Sequence, residues 1–241
     1  MHRFANPARF QRVADPLLPW LALATVALFA AGLWWSLVGS PADYIQSETV
    51  RIMYVHVPAA WMALGTYSVV AVASAIALVW RHPLADIAAR AASPLGAGFT
   101  LIALATGSLW GRPMWGTWWV WDARLTSELI LLFLYLGYMA LRSSFDDPQR
   151  ADRASAVLAI VGVINVPIIH YSVEWWTTLH QPASVTKFDK PSIHIDMLIP
   201  LLVMALAFKL YYVTAMLMRA RVELLERERN SKWVKEMVRE L

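Results

Sequence analysis

Residues 17–38 read LLPWLALATVALFAAGLWWSLV, a run of 22 positions without a charge. As an α-helix rising about 1.5 Å per residue, the run is about 33 Å long, enough to cross the roughly 30 Å hydrocarbon layer of a bilayer. The apolar core of a cleaved signal peptide is shorter, about 7–15 residues, so the segment predicts a retained membrane helix. Further segments at 54–80, 93–110, 126–142, 154–173 and 196–218 repeat the pattern. The third carries Pro94, Gly96, Gly98 and Gly107, and the fifth Gly162, Asn165 and Pro167. A bundle tolerates these, because neighbouring helices re-satisfy the backbone and small residues let helices approach. The expected fold is therefore an all-α integral membrane protein, a bundle of six transmembrane helices forming a single membrane domain over 1–241.

Composition agrees. Of 241 residues, 59% are hydrophobic and 16% charged, too little polar character for a soluble domain of this length. The absence of cysteine excludes disulfides, thiolate metal sites, a cysteine nucleophile and thioether attachment of a cofactor. A metal held here relies on His, Met, carboxylate or backbone oxygen. The net charge of +4 would suit a nucleic-acid partner, but the placement of the cations removes that support. Six crossings put both termini on one side. That side carries Arg3, Arg9 and Arg12, then Arg81 and Arg90, then Arg142, Arg150 and Arg153, and seven Lys or Arg between Arg219 and Arg239. The opposite loops carry only Arg51, Arg112, Arg124, Lys187 and Lys190. By the positive-inside rule both termini are expected in the cytoplasm, with 219–241 as a charged cytoplasmic tail helix. In that tail Val222, Leu225, Trp233, Met237 and Leu241 form either an apolar stripe or part of a solvated helix. In a bacterial inner membrane, the other side is the periplasm.

Tryptophan sorts to that outer side. Trp34, Trp35, Trp110, Trp115, Trp118, Trp119, Trp121, Trp175 and Trp176 lie at or beyond outer helix ends, with Trp61 about a turn below, and only Trp20, Trp80 and Trp233 mark the inner side. An aromatic belt would mark both faces alike. Trp115, Trp118 and Trp119 follow the i, i+3, i+4 spacing and are expected on one face of an interfacial helix. Gly111 and Gly116 would let a flat ligand or another backbone approach. The cluster reads either as an apolar, polarisable plate for a planar macrocycle or as a heavy membrane anchor.

His56, His170, His180 and His194 lie near the same face, which suggests that two ligate haem iron axially; spacing alone does not choose the pair. His56, before Val57-Pro58, is expected at the outer end of the second helix, and His180 in a loop that closes over a ligand. His170 and His194 lie closer to apolar runs, where packing is the expected role. Arg51 and Arg124 are candidates for charge-assisted bonds to ligand carboxylates, or ordinary interfacial arginines. Asp122 either orients the Trp loop or caps the fourth helix, and Glu128 is an intramembrane acid without an identifiable partner.

The run WGTWWVWD over 115–122 resembles the tryptophan-rich WWD signature of haem-handling proteins in cytochrome c biogenesis. With Tyr54-Val-His56-Val-Pro58, Leu179-His180-Gln-Pro182 and the six spans, the whole chain resembles the cytochrome c maturation protein C family. The resemblance implies that His56 and His180 are the axial ligands of haem b (iron protoporphyrin IX), bound non-covalently. It implies that Trp110, Trp115, Gly116, Trp118, Trp119, Trp121 and Asp122 form the haem platform, with Arg51 and Arg124 at the propionates. Implied partners are a periplasmic haem chaperone (maturation protein E), ABC-transporter subunits (maturation proteins A and B), a small single-span protein (maturation protein D) and membrane lipid. The chain has no G-x-x-x-x-G-K-[ST] phosphate loop, so ATP hydrolysis would fall to another subunit, and no catalytic nucleophile or acid–base pair is evident. The alternatives are a b-type membrane redox protein and a haem or solute transporter. The first commonly ligates haem between helices. The second calls for polar residues on broken helices near the midplane, for which Asn165-Val-Pro167 is the one modest candidate.

Overall fold

A computed structural model of the chain describes residues 7–187 and 189–239, so Arg3 and Leu241 lie outside the described residues. The helices are α1 (Pro7–Trp34), α2 (Met53–Trp80), α3 (Pro83–Trp115), α4 (Ala123–Ser143), α5 (Pro148–Gly162), α6 (Asn165–Trp175), α7 (Ile195–Arg227) and α8 (Lys232–Arg239). A π-turn, Trp35–Gly39, prolongs α1, and a 3-10 turn, Glu48–Ile52, leads into α2. Six of the resulting helical stretches are long and apolar enough to cross a membrane, the fifth made of α5 and α6 together.

The helices outrun the apolar segments at their charged ends. The third starts at Pro83 and the seventh continues to Arg227. Charges are tolerated there because they meet one another. Arg90 reaches Asp86 at 3.2 Å and Asp152 at 2.7 Å, Arg142 reaches Asp86 at 3.2 Å and also pairs with Asp152, and Glu223 lies 3.6 Å from Arg90. The network ties α3, α4, α5 and α7 together at the end of the bundle where α2 finishes. Beyond it, residues 228–231 break the expected tail helix, and α8 forms a separate short helix.

Between α5 and α6 the fifth crossing breaks. Pro167 has no N–H to offer the carbonyl of Val163 and its ring crowds that position, which weakens the helix there. Val166 N–H bonds to Val163 O instead, at 3.0 Å. The side-chain amide of Asn165 donates to the carbonyl of Ser127 on α4 at 2.8 Å, which braces the break and commits the amide to the fold.

The interior is built around α2, which packs on α3, α5 and α7. Tyr54, Tyr67, Tyr135 and Tyr138 are fully buried there. Tyr135 donates its hydroxyl proton to Ala63 O at 2.8 Å, and its ring stands edge-on to Tyr67 at 5.0 Å. Helix α1 packs mainly on α7 and leaves Trp20, Leu23 and Val26 exposed. Lipid is the solvent such an apolar surface requires.

Candidate functional site

Where α2 begins, α3 ends and α7 begins, the bundle encloses a cavity of about 1480 Å³. His56 enters it from the first turn of α2, and His180 from the loop between α6 and α7. The two rings have their centroids 6.3 Å apart and are inclined at 32°. Trp110 stands edge-on to His56 at 5.7 Å, and Trp115 lies 6.2 Å from His180.

Both imidazoles are held through Nδ1. His56 Nδ1 lies 3.0 Å from Thr106 Oγ1, whose own proton goes to Ile102 O at 2.6 Å, so the histidine is the donor. His180 Nδ1 donates to the carbonyl of Gln181 at 3.0 Å. Each ring therefore keeps its Nε2 lone pair free, the state in which imidazole binds metal. Burial, and after it the charge of Arg124, hold the pKa of His180 below its ordinary value, which keeps the ring neutral. Close packing pins His56 further, since a Cβ on Gly107 would lie 3.1 Å from its Cε1.

These features fit a metal that arrives with its own equatorial ligands. Among the described residues no group of three or more His, Cys, Asp or Glu could hold a bare ion. Two neutral imidazoles can ligate a macrocyclic iron from opposite faces. With metal–imidazole bonds of about 2 Å, such a stack sets ring centroids about 6 Å apart. Apolar surface from Val57, Ala60, Trp61 and Leu64 and the ring of Trp119 make up much of the remaining wall. The Nε1–H of Trp119 is buried without a partner among the described residues, an orphan donor suited to a carboxylate.

The other expected residues divide. Arg124 lines the cavity, and its Nη1 donates to the carbonyl of Ile169, with His170 O and Ser172 Oγ each at 3.4 Å, which ties α4 to the middle of α6. Arg51 is not among the lining residues; it pairs with Glu48 and donates to Ser36 O at 3.0 Å, fastening the π-turn to the 3-10 turn. Gly116, Trp118, Trp121 and Asp122 also lie outside the wall. Trp118 and Trp121 are exposed, Trp118 with the guanidinium of Arg112 at 6.0 Å, and Trp121 edge-on to Trp119 at 5.4 Å. Asp122 is the N-cap of α4, accepting from Leu125 N–H at 2.8 Å.

The interfacial helix expected through Trp115, Trp118 and Trp119 does not form. Helix α3 stops at Trp115, Gly116 adopts φ 77° to cap it, and its N–H bonds to Arg112 O at 3.1 Å. Glycine meets this left-handed geometry without a Cβ clash. Asp122 then starts α4, leaving too few residues between for a helix. His170 and His194 line the same cavity but do not pack in its core: His170 is exposed against Tyr171, and His194 caps α7, accepting from Asp196 N–H at 3.3 Å.

Three residues of the site had no assigned role in the sequence reading. Thr106 holds His56, Gln46 accepts from Trp110 Nε1 at 3.0 Å, and Glu128 lines the cavity, buried with its Oε1 unpartnered. Thr106 stands four residues before Trp110, one turn down the same helix face, which is the signal that points to it. Nothing local marks Gln46.

Comparison with known proteins gives one answer along the chain. The family described as Heme exporter protein C matches residues 1–235. A Heme exporter protein C of Bradyrhizobium diazoefficiens is 59% identical over 223 residues, 92% of this chain and 84% of its own length. Those of Haemophilus influenzae and Escherichia coli K12 are 48% identical over 241 residues and 49% over 238, covering 98% and 96% of their lengths and 100% and 99% of this one.

Proposed function

The chain belongs to the Heme exporter protein C family, and on that basis we propose that it handles haem during the biogenesis of c-type cytochromes, as a multi-pass membrane protein rather than an enzyme. Haem b binds non-covalently at the outer face, with His56 and His180 on the two faces of the iron. The observation that carries this reading is the pair of imidazoles in one cavity, 6.3 Å apart with both Nδ1 atoms engaged. Trp110, Trp115 and Trp119 flank the macrocycle, and Arg124 and the Trp119 N–H receive propionate oxygens. When bound, haem supplies the iron that accepts the two lone pairs. The protein supplies neutral rings, an apolar wall and carboxylate donors.

The cargo then passes to a periplasmic haem chaperone, and exposed Trp118 and Trp121 beside the cavity offer that chaperone a contact surface. Maturation proteins A, B and D are the expected membrane partners, with ATP hydrolysis on the ABC-transporter subunits. The excess of Lys and Arg at the opposite end of the bundle supports an orientation with both termini cytoplasmic, in a bacterial inner membrane.

The test is the absorption spectrum of the protein purified from haem-replete membranes, beside its His56→Gly and His180→Gly variants. A low-spin bis-histidine spectrum in the wild type, perturbed in either variant and restored by added imidazole, is expected. Wild type without haem, or haem indifferent to both substitutions, removes the ligand assignment.

A further inference from the structure

At the end of the bundle remote from the histidine pair lies a second cavity, of about 550 Å³, that the proposed haem chemistry does not use. Arg81 and His82 line it from the turn between α2 and α3, Asp152 and Arg153 from α5, and Arg227 from the end of α7. The run of α2 from His56 to its end at Trp80 puts it about 36 Å from His56.

Its charge is unbalanced. Asp86 and Asp152 are already bridged by Arg90 and Arg142, and Glu223 adds one more acid beside Arg90. That network holds three acids to two cations, so Arg227, whose charge acts on both Asp86 and Asp152, balances it, and Arg81 and Arg153 are the cations in excess. Arg227 Nη1 donates to Pro83 O at 3.0 Å, whereas Arg81 and Arg153 make no hydrogen bond or ion pair among the described residues. Among the described residues His82 Nδ1 is buried and unpartnered, and α3 starts beside it with no side-chain cap on its first N–H groups. Free guanidinium groups, an orphan imidazole nitrogen and an uncapped helix start together offer donors to an anion with several acceptor oxygens.

The rest of the wall narrows the choice of anion. Asp86, already held by Arg90 and Arg142, lines it with Pro83, Gln149, Ala77 and Leu78 of α2 and Ala156 of α5, and Leu78, Val79 and Trp80 are exposed at 39%, 66% and 61% on the surface beside it. A phosphate bound at the arginines would thus have a lipid-facing apolar strip next to it. We propose that this cavity binds the headgroup phosphate of an anionic membrane phospholipid, with its acyl chains along Ala77 and Leu78. In the proposed orientation this is the inner leaflet, where basic pockets between membrane helices bind such headgroups.

The experiment is thermal unfolding of the full chain in an uncharged detergent, titrated separately with phosphatidylglycerol, phosphatidylcholine and inorganic phosphate. Phosphatidylglycerol is expected to raise Tm, and the other two to leave it unchanged. In the Arg81→Gln/Arg153→Gln variant, half-saturation by phosphatidylglycerol should need roughly 25-fold more lipid, from the usual strength of an arginine near a charged membrane surface. The Arg81→Lys/Arg153→Lys variant should stay within a few-fold of wild type, which separates lost charge from lost fold. Equal responses to phosphatidylglycerol and phosphatidylcholine, or an unaltered response in the glutamine variant, overturn the proposal. An equal rise with inorganic phosphate assigns the site to a soluble anion and overturns it as well.

Discussion

Thr106 Oγ1 accepts a hydrogen bond from His56 Nδ1–H and donates its own to the carbonyl of Ile102, so a hydroxyl with no reactivity of its own sets which imidazole nitrogen faces the cavity. Removing such an outer partner typically costs about 10–100-fold in metal affinity. Thr106→Val, which keeps the shape and removes the acceptor, should weaken haem binding by about that factor, and Thr106→Ser should largely preserve it. Haem titration followed by absorbance decides, and an unchanged affinity in the valine variant would mean that the hydrogen bond does not govern the tautomer. The depressed pKa of His180 has its own consequence. The folded ring binds a proton less readily than the unfolded ring, whose pKa is about 6.5. Its contribution to stability is thus present above about 6.5 and is lost as pH falls through the lower folded value. Ligation needs the neutral ring, so haem affinity should stay level from about pH 8 to 6.5 and fall only below that. A decline that begins above 6.5 in a pH-resolved titration would contradict this ordering.

Helix α3 delivers Trp110 and Trp115 to the cavity and must then stop for the chain to reach Trp119 and α4. Gly116 performs the stop at φ 77°, where a side chain costs about 1–2 kcal/mol. Gly116→Val is expected to lower Tm and haem occupancy, and Gly116→Asn, which tolerates the left-handed region better, to lower both less. A valine variant with wild-type occupancy would show that the turn does not position the indoles. The membrane helices were readable in the sequence because lipid imposes a simple demand of length and apolarity. Their charged ends were not, since Asp86, Arg90 and Arg142 read as loop or boundary residues until folding brings them together. The i, i+3, i+4 spacing of Trp115, Trp118 and Trp119 suggested a helix because periodicity registers side chains and not stops. Gly116 and Asp122, a helix terminator and a helix cap, outweighed it.

Across the whole molecule, the site joins residues that are far apart along the chain. Four outer histidines were visible in the sequence, and their spacing left the pair open; all four line the cavity, resemblance pointed to His56 and His180, and packing sets the rings of those two 6.3 Å apart. Gln46 owes its place to tertiary contact and carries no local mark, and Glu128 stood out only as an acid inside a membrane segment, its place in the cavity being set by packing. The two histidines have unlike mechanical settings. His56 belongs to a long central helix, while the loop that carries His180 is held by bonds within itself such as His180 N–H to Thr178 Oγ1 at 3.2 Å and Ser192 N–H to Ser184 O at 2.9 Å. Segments tied down in this way open faster than a packed bundle rearranges. In the proposed bis-histidine site, release then has a fixed order, with the bond to the loop yielding first while the helix still grips. The residence time of the cargo becomes a property of one loop, so an event at the outer surface can set the moment of departure while the bundle keeps its shape.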